Sequence, residues 1–445
     1  MAVSRGRPKA PAAGFRWTDF QVAVAFALAA TPFGNSRTIL VVVSFFIVLS
    51  ALLEPGSLRL QWPLALFLMW CVASISWSAA PSLTMKAVLK TVLIVAAASL
   101  AVQRWGVRRV FHDCALGAKV VLLVSWAIFF LNPATGRSQG IDHPGAFRGL
   151  FTDRNAAAFA AVVFLIFFLC ATTQASTSAL RVRAWLWAGL AAVTVLATQS
   201  GTGRVMAGVA AVIALIMIRM PSWSNLRKRV VTTIGALLLG SVAFWSATNL
   251  REVAQLVGRD ATLTGRTVIW DVVERHMPDV LYHGFGWGAL WQPGVPITQQ
   301  MWAEGGFRFY HAHEAYFDYI LQVGLVGLAL VLGSMLLSMG RALRTDERVV
   351  PAVKLLTVAS VITLLGYAAT EQSFDTELGL FLIAVCASAV RERNVTGRAS
   401  TVAGPGSVSG ILPGLHPGRT GSVASRGRAT LLTDSAVKRS AVRGS

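Results

Sequence analysis

Arginine and histidine gather in two stretches of this chain that are bordered by apolar runs, and that pairing of side chains points to phosphate chemistry. The first stretch, 132–154, holds Arg137, His143, Arg148 and Arg154, and the turn Gln199-Ser-Gly-Thr-Gly-Arg204 adds a base at a helix mouth. The second, 248–312, holds Arg251, Arg259, Arg266, Arg275 and Arg308, with His276, His283 and His311 inside it and His313 at its border. A guanidinium fork binds two phosphate oxygens at once. Histidine, with an ordinary pKa of ~6.5, can take the proton from a sugar hydroxyl as general base. A lipid phosphate or diphosphate is the substrate class these residues fit. A diphosphate is already a good leaving group, and arginines alone can stabilise it, so no metal or other cofactor is expected. Nucleotide hydrolysis finds no support, because Gly284-Phe-Gly-Trp-Gly288 lacks the Lys and Ser or Thr of a phosphate-binding loop. Cys71, Cys114, Cys170 and Cys386 lie inside apolar runs without metal-ligand spacing, so they read as packing residues. Asp375 and Glu377 read as an exposed turn and helix start.

The elements that must position these side chains are membrane helices. Of 445 residues 55% are hydrophobic and only 13% charged, too few charges for the surface of an ordinary soluble domain. The net charge of +20 is spread in short clusters between apolar runs, which read as topology signals and not as a nucleic-acid footprint. Spanning runs fall near 17–31, 37–53, 62–77, 82–102, 109–131, 155–173, 184–199, 204–219, 229–247, 313–339, 350–367 and 377–391, about twelve in all. Alternating Lys and Arg content sets the orientation: Arg104, Arg108 and Arg109, then Arg181 and Arg183, then Arg341, Arg344 and Arg348 mark inner loops, while the turn 78–81 carries no base and 368–376 carries only Glu371 and Asp375 as charges. This organises the chain into a cytoplasmic N-terminus (1–16), transmembrane helices 1–9 (17–247), a large outer loop (248–312), helices 10–12 (313–391) and a disordered basic cytoplasmic tail (392–445). The two Arg- and His-bearing stretches fall on the outer side, against the usual bias, and are therefore the candidate site. The large loop is too rich in Trp to read as disordered, and 266–277 has the pattern of an amphipathic helix. A competing reading lays that helix in the interface with its tryptophans as headgroup anchors.

The motifs Gly149-Leu-Phe-Thr-Asp-Arg-Asn155, Ser200-Gly-Thr-Gly-Arg204, Gly258 to Trp270, Gly284 to Gly288, His311-Ala-His-Glu-Ala-Tyr316 and Gly324-Leu-Val-Gly327 together resemble the O-antigen ligase and polymerase family of bacterial polysaccharide assembly, especially its exopolysaccharide-polymerase branch. The resemblance covers 150–340; the first 130 residues match as hydropathy alone. It implies an all-α membrane glycosyltransferase, GT-C-like, with one large periplasmic loop, sited in the bacterial inner membrane with its active site on the periplasmic face. It further implies inverting, metal-independent transfer from an undecaprenyl-diphosphate-linked oligosaccharide, with membrane lipids and polysaccharide export machinery as further partners and no nucleic acid. By the same resemblance His313 is the base, Arg204 and Arg266 hold the diphosphate, and Arg154 joins them at a position where the family often has Lys. The family often has Asn after the histidine where this chain has Glu314, so His311 shares or replaces the role of His313 as the alternative. Arg148, Glu314 and Tyr316 are carried as substrate contacts, each with a purely structural role as the competing reading. A polymerase is the leading function, a ligase that moves the glycan to lipid A core or another acceptor is its nearest rival, and a flippase for lipid-linked oligosaccharide stands as a different class.

Overall fold

The computed structural model describes residues 17–31, 35–53, 58–140, 143–231, 233–235, 266–344 and 350–399. Its helices, numbered among these residues, are α1 (Trp17–Ala30), α2 (Ser36–Leu52), α3 (Trp62–Ala73), α4 (Pro81–Trp105), α5 (Val107–Leu131), the single turn α6 (Pro133–Gly136), α7 (Arg154–Gln174), α8 (Ser178–Ala197), α9 (Gly201–Arg219), α10 (Arg266–Val280), α11 (Pro296–Gly305), α12 (Ala315–Leu343), α13 (Pro351–Ala368) and α14 (Glu377–Ala399). Among the described residues the one element of sheet pairing is an isolated bridge between Arg137 and Phe147. Helices α4, α5, α7, α8, α9, α12 and α13 are long and apolar enough to cross a membrane, with shorter apolar helices at Phe20–Ala30, Ser36–Leu52 and Trp62–Trp77. The chain is an all-α multi-pass membrane protein. The expected run at 229–247 is helical over 225–231 and 233–235, and its remainder lies outside the described residues, as do 248–265 and the expected tail from 400 onward. Helix α14 continues past the expected boundary at 391.

Apolar side chains cover both the inside and the outside of the bundle. Helix α7 is buried along nearly its whole length and packs against α5, α8, α9 and α13. Leu123, Leu186, Leu215 and Leu336 stay exposed on the rim, the arrangement a lipid solvent requires, since a helix already satisfies its own backbone groups there. The four cysteines are buried and free.

Helix α12 breaks at Gly324, whose φ of 66° and ψ of −176° no helix can hold. A break inside a membrane frees carbonyls that must find donors. The segment after α10 supplies them: Phe285 N–H donates to Leu321 O at 2.7 Å and Gly286 N–H to Gln322 O at 2.9 Å, while the Trp70 indole reaches Val323 O at 2.8 Å. In the reverse direction Leu325 N–H donates to Leu281 O at 2.7 Å. This pairing demands glycine at both surfaces. A Cβ on Gly284 would lie 2.2 Å from the Gln322 carbonyl carbon, and one on Gly324 would lie 2.1 Å from that of Tyr282.

Helix α10 and the loop residues beyond it form a second hydrophobic cluster, in which Ile269, Trp270, Val273, Trp291, Met301 and Phe309 are buried together. Trp270, Trp287, Trp291 and Trp302 are all buried, so the reading of them as exposed headgroup anchors is corrected. Their indole N–H groups donate inward, to Ala312 O at 3.0 Å, Thr91 Oγ1 at 2.9 Å, Asp318 Oδ1 at 2.8 Å and Phe309 O respectively. The amphipathic helix expected at 266–277 is present as α10, with its apolar face on this cluster.

Candidate functional site

Three helix starts, those of α7, α9 and α12, meet the turn between α13 and α14. Each is capped by a side chain from the sequence motifs, which fixes where the neighbouring polar residues stand. Asp153 accepts from Asn155 N–H at 2.7 Å and Ala156 N–H at 3.0 Å, starting α7 and placing Arg154 and Asn155 in its first turn. Ser200 caps Gly203 N–H at 3.3 Å to start α9, and Glu314 caps Phe317 N–H at 2.6 Å to start α12. Arg266, on α10, reaches the same turn. Helix N-termini carry partial positive charge, so the ensemble favours an anion before any side chain is counted.

Glu371 ties these starts together. Its Oε1 accepts from Arg266 Nη2 at 2.7 Å and from Asn155 Nδ2 at 2.7 Å, and its Oε2 lies 3.8 Å from His313 Nδ1. Arg266 also donates from Nη1 to Thr370 O at 2.8 Å, and the Thr370 hydroxyl lies 2.8 Å from that of Thr202 on α9. Arg266 and Glu371 are 8% and 6% exposed, so this is a buried ion pair in which each partner depends on the other. The His313 ring is part exposed beside it. In the sequence Glu371 is visible only as a charge of the turn 368–376, because a single acid in a short turn carries no spacing signal and its partners stand far away in the chain.

His313 and His311 lie with ring centroids 3.8 Å apart. His311 Nδ1 accepts the backbone N–H of His313 at 3.2 Å, which assigns the proton of the neutral ring to Nε2. Burial, reinforced by neighbouring His313, pushes the His311 pKa down to about 3, so this ring is neutral at ordinary pH with its accepting lone pair occupied. His313 itself is held at φ 56°, a left-handed backbone uncommon for a residue with a side chain. Gln199, at φ 55°, is strained in the same way: its carbonyl accepts from Arg154 Nη1 at 2.9 Å and its side chain lies 3.1 Å from His143 Nδ1.

The remaining predicted residues stand as follows. Arg204 is exposed on the first turn of α9, two residues beyond Thr202. Arg148 is half-buried, with a buried Nε that has no hydrogen-bond partner. Glu314 is 1% exposed and serves as the cap of α12; burial raises its pKa, and the Phe317 N–H opposes that rise. Tyr316 donates to Leu365 O at 3.0 Å and so ties α12 to α13. The reading of Asp375 and Glu377 as an exposed turn and helix start is corrected: Asp375 is half-buried, and Glu377 is 6% exposed and ion-paired. The structure thus gathers Arg266 and His313 about one carboxylate, brings Arg154 and Arg204 to the neighbouring helix starts, and gives Glu314 and Tyr316 contacts within the bundle.

Fold and site together define a multi-helix membrane protein with a buried Arg–carboxylate pair and two adjoining histidines, roofed by a folded loop. Residues 186–332 match the family model described as O-Antigen ligase, and the chain is similar to the exopolysaccharide production protein ExoQ of Rhizobium meliloti (strain 1021), 28% identical over 335 residues, which is 72% of this chain and 75% of that protein. The matched stretch contains α9, α10, α11 and the start of α12 with Arg204, Arg266 and His313.

Proposed function

We propose that the protein is a metal-independent, inverting glycosyltransferase that polymerises undecaprenyl-diphosphate-linked oligosaccharide repeat units on the periplasmic face of the bacterial inner membrane. One observation carries the reading: Arg266, His313 and Glu371 converge where the capped starts of α7, α9 and α12 meet. The donor diphosphate sits against Arg204, Arg266 and Arg154. A hydroxyl of the acceptor sugar attacks the donor's anomeric carbon from the face opposite the diphosphate. The new oxygen–carbon bond forms as the carbon–oxygen bond to phosphate breaks, the bonding pair leaves with the lipid diphosphate, and the hydroxyl proton passes to His313. Glu371, on the Nδ1 side of that ring, leaves Nε2 for the proton and stabilises the imidazolium that results. The separation of 3.8 Å is longer than a hydrogen bond, as is common before substrate is bound. His311, with its accepting nitrogen already engaged, is the poorer base and positions His313.

Transfer to a different acceptor, the ligase reading, uses the same donor chemistry and is favoured by the description of the matched family. Transport would place a polar site at a broken helix near the bilayer midplane. Here the carbonyls of the break at Gly324 are occupied by backbone N–H groups of 284–288 and by Trp70. The test is an assay of purified protein in detergent with EDTA and a lipid-diphosphate-linked repeat unit, comparing wild type with His313→Ala and Arg266→Ala. The expected result is a ladder of longer lipid-linked glycans from wild type that both variants lose. Glycan appearing only on an added acceptor would convert the reading to a ligase, and substrate consumed by neither route would overturn it.

A further inference from the structure

Glu377, at the start of α14, is a second buried carboxylate, and it is outnumbered by cations. Its Oε1 lies 2.6 Å from Lys90 Nζ on α4 and 3.3 Å from Arg37 Nε on α2. Lys86, one helical turn before Lys90 and so beside it on the surface of α4, is exposed. The Arg37 side chain is 59% exposed, and its Nε is the atom paired with Glu377. Asp375, the next acid along the chain, is engaged by Ser373 N–H at 2.7 Å. Two carboxylates, Glu377 and Asp375, thus stand against three cations, Arg37 at the N-terminal end of α2 and Lys86 and Lys90 on α4, and the N-terminal ends of α2 and α14 add further positive potential.

The surroundings of these cations are apolar and open. Ile39 and Val42 on α2 and Met85 and Leu89 on α4 are each about half exposed beside them. Charged groups in such surroundings are costly unless something of opposite charge meets them. The cluster also lies at the end of the bundle that carries the candidate site: the residues preceding α4 bind the Gly284–Gly288 segment through Ala79 N–H to Phe285 O at 2.8 Å, and Glu377 follows Glu371 across one short turn. It is built from α2, α4 and α14, whereas the first site draws on α7, α9, α10 and α12.

We infer that Arg37, Lys86 and Lys90 form a second lipid-phosphate site, holding the phosphate or diphosphate headgroup of a lipid whose chain lies along the exposed apolar faces of α2 and α4. Its assignment to the acceptor lipid of a polymerase rests on the function proposed above; the binding itself does not. Two sources share this headgroup chemistry, the lipid-linked acceptor and an anionic membrane phospholipid.

The test is native mass spectrometry of the full-length protein in detergent, with undecaprenyl diphosphate and phosphatidylglycerol as probes. Wild type is expected to hold two undecaprenyl diphosphates. Lys86→Gln, an exposed change that leaves the Glu377 ion pairs intact, should weaken one of them about tenfold, and Arg37→Gln/Lys86→Gln should weaken it further, while Arg266→Ala affects the other. Phosphatidylglycerol displacing that lipid from wild type and not from the double variant identifies a membrane phospholipid as the occupant; failure to displace it identifies the lipid diphosphate. Equal binding of both probes by wild type and the double variant overturns the site. A protein that makes no glycan ladder yet shows this binding pattern would sink the polymerase reading and leave the lipid site standing.

Discussion

A single carboxylate, Glu371, meets a guanidinium, an amide and a histidine ring, and its removal should therefore act twice. Glu371→Leu leaves Arg266 buried and unpaired, a change that costs on the order of 3–5 kcal/mol, whereas Arg266→Leu/Glu371→Leu removes both charges and should recover most of that stability. Activity should stay lost in the double variant. Thermal unfolding and the glycan-ladder assay on the three variants check this; a double variant that regains activity along with stability would reduce the pair to a structural role. His311 sets a pH dependence that can be read without any substrate. Its folded pKa of about 3 lies below the ordinary value of ~6.5, so between those limits the unfolded chain binds a proton that the folded chain refuses. Stability contributed by this residue is complete above the unfolded pKa and declines as pH falls through that window. His311→Asn keeps an acceptor for the His313 N–H and removes the titration. Its melting temperature should fall less steeply than that of wild type between pH 6.5 and 4, measured by intrinsic fluorescence. Parallel curves would mean that another group controls acid sensitivity.

Among the elements, the glycine-rich segment 284–288 and the break in α12 act as one joint. The two motifs stand apart in the sequence, and only the fold shows that each supplies the space the other needs: both glycines have positive φ, and a Cβ on either would enter the partner's backbone. Gly284→Ala and Gly324→Ala should each destabilise the protein by well above the ~1 kcal/mol of an ordinary Gly-to-Ala backbone penalty, because the opposing atoms are carbonyl carbons that cannot rotate aside. Gly294→Ala is the control, since its φ is also positive but nothing lies within 4 Å of its Cβ position. If all three variants melt alike, the close approach is not what fixes these glycines. The spans themselves were legible from apolar length, as with α4, α5, α7 and α13, whose ends fall close to the hydropathy runs. So were the helix mouths that carry Arg154, Arg204 and His313. What the sequence hid were partnerships between distant segments. Glu371 meets Arg266 across α12 and α13, Glu377 meets Lys90 from another helix, and a tryptophan looks the same in a string whether it anchors in headgroups or, as Trp270 and Trp291 do, packs inside a folded loop.

For the molecule as a whole, the distribution of basic residues gives an orientation that the geometry can test. Arg104, Arg108 and Arg109 lie about the junction of α4 and α5, and Arg181 and Arg183 lie in the first turns of α8, while the candidate site lies at the starts of α7, α9 and α12. A helix that begins at the site end finishes at the other, so α7 carries the chain from Arg154 to the Arg181 cluster and α8 returns it to Gln199, which Arg154 contacts. The two ends of the bundle thus differ in charge bias, and the positive-inside tendency predicts that the Arg181 end is cytoplasmic. Because the native cysteines are buried, single introduced cysteines can report this with little background. Tyr310 is 56% exposed next to His311, and Arg181 is exposed at the opposite end. In cells whose outer membrane has been permeabilised, a membrane-impermeant maleimide should label Tyr310→Cys at once and Arg181→Cys only after the inner membrane is broken. The reverse pattern would place the histidines and their arginines in the cytoplasm, and the periplasmic transferase reading would fall with it.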